Sequence, residues 1–138
     1  MNRTDFQQLA SVRVADARAL LEAGRWDGAY YLAGYVVECA LKACIAKGFQ
    51  EGNIPDKGSV DKIYVHNLKT LLKLADLDTE LNKAMAADPQ LEVAWGNAVP
   101  WNESDRYEHS HTQEQAQDVL DAVTNPAYGV LQWIQRHW

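Results

Sequence analysis

The segment Arg106-Tyr107-Glu108-His109-Ser110-His111 carries the side chains best suited to chemistry in this 138-residue chain. Arginine is a fixed cation with a planar fork that fits phosphate, and histidine gives and takes protons near neutrality. Arg106 and His111 together suit transphosphorylation: the imidazole moves a proton while the guanidinium stabilises a charged phosphorane. Five residues apart on one continuous helix they would diverge by about 140°. Convergence on one ligand therefore requires a helix that starts between them, and Ser110 and Thr112 are suitable caps. Glu103, Asp105 and Glu108 lie close by in sequence and oppose an anion site.

Glu38 is the second informative residue. It sits among Val36, Val37, Cys39, Ala40 and Leu41 in the most apolar stretch of the chain. A lone carboxylate buried there is costly unless it is paired or protonated. Two readings stand: a helix-surface pair with Lys42 at i+4, or a buried carboxylate that orients a functional cation. The second makes Glu38 and Arg106 neighbours, within one subunit or across a dimer. A metal site would draw on His109 and His111 with Glu108 or Asp105, and on His66. An i, i+2 histidine pair cannot clamp a metal from one helix face, so no metal and no cofactor are expected. Gly28 and Gly34 lie within a helical pattern and suit close helix packing rather than a phosphate loop.

Helical periodicity dominates the elements that must position these groups. A first helix is predicted from about Thr4 to Ala23, ended by Gly24. A second, capped by Asp27, runs to Lys47 with Gly48 stopping it. It is apolar nearly all round, which marks a central helix, a subunit interface, or both. Phe49 to His66 reads as a long loop rich in turn formers (Gly52, Asn53, Pro55, Asp56, Gly58, Ser59). Asn67 opens a short helix that breaks around Asp76–Asp78, and Asp88-Pro89 reads as N-cap and N1 of a further one. Residues 96–105 read as irregular. Thr112 or Ser110 caps the next helix, Asn125-Pro126 breaks it, and a last helix ends near Trp138. The expectation is one all-α domain over residues 1–138, a five- to six-helix up-down bundle.

Composition narrows the classes further. With 23% charged and 47% hydrophobic residues the chain is neither a disordered polyelectrolyte nor a membrane protein, and no signal-peptide pattern opens it. Cys39 and Cys44 lie five apart and point in different directions on a helix, so they read as reduced, buried residues of a cytoplasmic protein. Residues 1–50 carry a net charge of +1 and residues 51–138 a net of −7, so no basic track for gripping a duplex is visible.

With these features in place, the chain resembles the HEPN domain family (higher eukaryotes and prokaryotes nucleotide-binding). The run from Gly28 to Lys42 resembles that family's glycine- and tyrosine-rich helix with a Glu-x-x-Leu-Lys core. His66-Asn67-Leu68 resembles its His-x-Leu start of the third helix, and Arg106 to His111 its Arg-x4-His motif. The resemblance spans about residues 4–135 and implies a helical bundle that forms a homodimer, with the Arg and His of two subunits around a shared cleft. It implies a metal-independent endoribonuclease acting on single-stranded RNA, toxin-like or defence-associated. Arg106 would stabilise the scissile phosphate, His111 would be the acid/base, and Glu38, Tyr107 and His66 would support them. The alternative is a non-catalytic module that holds a nucleotide or a partner minimal nucleotidyltransferase acting as antitoxin. The branch of the family with that antitoxin carries a modifiable tyrosine two residues after the histidine; here the position is Gln113.

Overall fold

Two long antiparallel helices carry the architecture, α1 (Arg3–Glu22) and α2 (Trp26–Lys47). The computed structural model describes residues 1–49, 54 and 56–138. Asn2 caps α1 through a reciprocal pair of bonds with Asp5, its side chain accepting from the Asp5 N–H at 3.0 Å. Gly24, at φ +75°, makes the reversal into α2, a backbone conformation that glycine adopts without steric cost. Eleven of the 22 residues of α2 are buried, which makes it the central helix of the bundle. It packs along α1 and also touches most of the elements that follow. By length and hydropathy α2 is the one described helix that could cross a bilayer, but most of that span is buried inside the fold.

The second half is built from shorter helices. They are α3 (Lys57–Lys62), α4 (Leu68–Leu74), α5 (Asp78–Ala87), α6 (Pro89–Ala98), a 3-10 helix (Glu103–Tyr107), α7 (Gln113–Thr124) and α8 (Val130–Gln135). Several of the expected boundaries are caps in fact. The Asn67 side chain accepts from the Thr70 N–H, Asp88 accepts from Gln90 with Pro89 at N1, and Thr112 forms a capping box with Gln115. Asp76, at φ 60°, makes the break between α4 and α5.

The class is all-α as expected, with eight α-helices among the described residues rather than five or six. α3 lies inside the segment read as a loop, because six residues are too few for a helical period to show. The 3-10 helix likewise lies at the end of the stretch read as irregular. Gly52, Asn53 and Pro55 of the expected loop lie outside the described residues.

The apolar breadth of α2 is used within the protomer. Trp133 of α8 is buried, and Tyr31 and Tyr35 are half-buried against the core. Cys39 and Cys44 are free and buried, and burial pushes both thiols up to about 11.

Trp101, fully buried, lies flat against Gly34 of α2, where a Cβ would fall inside the indole. Gly34→Ala should therefore lower stability by about 1–3 kcal/mol, the usual cost of overpacking a closed core. The readout is a lower urea midpoint with little change in slope; an unchanged midpoint would mean that the indole yields freely.

Candidate functional site

The N-terminal turns of α2 and the chain from the 3-10 helix to α7 form the site. Asp27 does not cap α2. Arg25 holds the N-cap position without a side-chain bond, and Asp27 is the second helical residue, within the first turn. Its carboxylate instead takes two bonds from a residue 84 positions away. The His111 backbone N–H donates to Oδ1 at 3.0 Å and Nδ1 donates to the same oxygen at 2.7 Å. The imidazole stacks on Tyr30, with ring centroids 3.9 Å apart and planes within 20°. The His111 side chain keeps 13% of its surface exposed. Because Nδ1 faces a carboxylate it carries the proton, so Nε2, which has no partner among the described residues, is the nitrogen presented outward.

Burial pushes the Asp27 carboxyl up, but bonds from the His111 backbone and ring, with the charges of His111 and His109, outweigh it and hold Asp27 below its ordinary 3.8. A lowered carboxylate contributes stability above its unfolded value, and that contribution is lost as pH falls through the folded one. The bond that seats His111 is thus intact at neutral pH.

Arg106 belongs to the 3-10 helix, which Asn102 caps through Ser104 and Asp105. Its guanidinium lies 4.8 Å over the ring of Tyr107, which is itself mostly exposed. The Tyr107 phenol first, and then the Glu103 carboxylate and Tyr31, raise its already high affinity for the proton. Arg106 thus sits on the 3-10 helix, which packs on α2, while His111 stacks on Tyr30 of α2. The helix start expected between them lies beyond both: Arg106 is in the last turn of the 3-10 helix, Glu108 is extended, and α7 begins at Gln113. A change of backbone, rather than a cap at Ser110, therefore separates the two residues.

A chain of charged groups runs from the core to Arg106. Glu38 is 2% exposed, and its Oε1 accepts from Lys42 Nζ at 2.8 Å and from His66 Nδ1 at 2.9 Å. His66 Nε2 lies 2.5 Å from Glu103 Oε2, and the other Glu103 oxygen is 3.8 Å from an Arg106 nitrogen. Both readings of Glu38 hold in part, since it pairs with Lys42 at i+4 and does so buried. The direct Glu38–Arg106 contact is not formed; His66 and Glu103 stand between them.

Asp27 and Glu103, which the sequence reading assigned to a cap and to unfavourable surroundings, join this candidate site together with Tyr30. An Asp-x2-Tyr spacing places an acid and an aromatic ring on one face at the start of the most apolar helix, the one local signal that pointed to them. Among the described residues no three His, Cys, Asp or Glu side chains converge as a metal site.

The all-helical bundle built around a central α2 belongs to a class that family comparison identifies. The HEPN domain matches residues 5–136, and the chain belongs to the HEPN domain family. No curated protein and no solved structure matches it.

Proposed function

We propose that this HEPN-domain protein is a metal-independent endoribonuclease that cleaves single-stranded RNA, toxin-like or defence-associated, in the cytoplasm. The observation that carries the reading is the Asp27–His111 pair: a carboxylate and a stacked tyrosine fix one imidazole with Nε2 facing outward, five residues after Arg106 in the chain. A general base needs that fixed tautomer, and a purely structural histidine does not.

In the reaction, the ribose 2′-hydroxyl gives its proton to His111 Nε2 as the 2′-oxygen bonds to phosphorus. The P–O5′ bond then breaks and the 5′-oxygen takes up a proton. Arg106 holds the non-bridging oxygens and stabilises the charge that builds on them. Nucleophile and leaving oxygen lie on opposite sides of phosphorus, so one imidazole serves one of them. A homodimer, which would bring a second His111 to the other side, completes the acid/base pair. Unpaired RNA is the substrate because the link must flex into line and the chain shows no basic track for a duplex.

Incubation of the purified protein with an unstructured RNA should give 2′,3′-cyclic phosphate and 5′-hydroxyl ends, undiminished by EDTA. Cleavage that vanishes in EDTA would move the site to a metal mechanism. Protein that binds a nucleotide or a nucleotidyltransferase partner and leaves RNA intact would make it a binding module, a reading that the acidic neighbours Glu103, Asp105 and Glu108 leave open.

A further inference from the structure

Glu103 and Arg106 are three residues apart on a 3-10 helix, where side chains at that spacing eclipse. A carboxylate hydrogen-bonded to the guanidinium uses the donors that a phosphate needs. The two stand 3.8 Å apart, an ion pair too long for a hydrogen bond. Glu103 is instead drawn to His66, at 2.5 Å. The other ring nitrogen of His66 is held at 2.9 Å by Glu38, which is itself buried and fixed by Lys42. A ring between two carboxylates bonds both only with a proton on each nitrogen.

From this arrangement we propose that His66 is a positioning residue: its ring binds Glu103, keeps it from hydrogen-bonding Arg106, and so leaves the Arg106 donors to phosphate. The proposal rests on the reading of Arg106 as the phosphate-binding group. The charged groups facing His66 are Glu38 and Lys42 from α2 and Glu103 and Arg106 from the 3-10 helix. Glu38 is anchored in the core and holds the ring in place, so without the ring Glu103 is released and closes on Arg106. Glu103 thus acts as an internal competitor of the substrate, and His66 decides whether it competes.

The test uses a fluorescent 2′-O-methyl RNA oligonucleotide, which binds but cannot be cleaved, with anisotropy as the readout. His66→Asn keeps a donor where Nδ1 meets Glu38 and loses the reach to Glu103. It should weaken binding about two- to fivefold, the scale of an exposed ion pair. Adding Glu103→Gln should restore the parent affinity. A double variant as weak as His66→Asn, or a His66→Asn variant as tight as the parent, overturns the proposal. Should His66→Asn fail to fold, His66→Ser replaces it, with the same weakening and the same suppression by Glu103→Gln expected; a double variant as weak as His66→Ser overturns the idea. Arg106→Ala on the same probe separates the two readings. If it binds like the parent, the phosphate-binding role falls and this proposal with it. If it binds weakly and suppression is absent, the His66–Glu103 pair alone fails.

Discussion

Replacing His111 by alanine should lower the rate of RNA cleavage by about 10²–10⁴, the usual contribution of a positioned acid/base group. The loss should appear in kcat, because the imidazole acts on the proton in flight rather than on the ground-state complex. The fold should survive, since the backbone N–H of residue 111 still donates to Asp27 Oδ1, at 3.0 Å in the parent. Circular dichroism melting checks that point. Asp27→Asn should cost up to about as much as His111→Ala, because an amide no longer fixes the proton on Nδ1 and the charge that steadies the protonated ring is gone. A His111→Ala protein that cleaves at the parent rate would remove the imidazole from the chemistry.

Lys42→Met should destabilise the protein by about 3 kcal/mol, at the low end of the cost of stripping one partner from a buried ion pair. Glu38 and Lys42 keep only 3% and 11% of their side-chain surfaces exposed, so little water can replace the ammonium. His66 continues to donate to the same Glu38 oxygen, which is why the low end applies. The second oxygen, Oε2, is buried without a partner among the described residues, so the carboxylate has no reserve of hydrogen bonds. Combining Lys42→Met with Glu38→Met should recover much of the loss, because no uncompensated charge then remains in the core. Urea denaturation of the single and double variants decides the matter; a Lys42→Met protein with the parent midpoint would show that the pair contributes nothing.

Local chemistry made most of the fold legible in the sequence. The stripe on α2, the Asn67 cap, the Asp88-Pro89 pair and the Thr112 box are each settled by residues within four positions of one another. Helical period and capping are short-range effects, and they read the same in any context that permits a helix. Where the element was too short for a period, as in α3 and the 3-10 helix, the same reasoning found no helix. The types of the two central residues, Arg106 and His111, were also readable, because a fixed cation and a titratable ring are properties of side chains and not of their surroundings.

The surroundings were decided by tertiary structure. Asp27 looks like a cap until a histidine 84 residues away takes its carboxylate, and Glu103 looks like a hindrance until His66 draws it aside. Glu38 kept two readings because pairing with Lys42 is local whereas burial depends on what packs over α2. Hydrogen-bonding capacity is fixed by residue type, but its partner is fixed by which elements meet in space. The sequence therefore determined the longer helices and the side-chain types at the candidate site. The packing of α2 against the 3-10 helix and the start of α7 decided their tautomer, their pairing and their exposure, since a buried polar group must bond to whatever the fold brings to it.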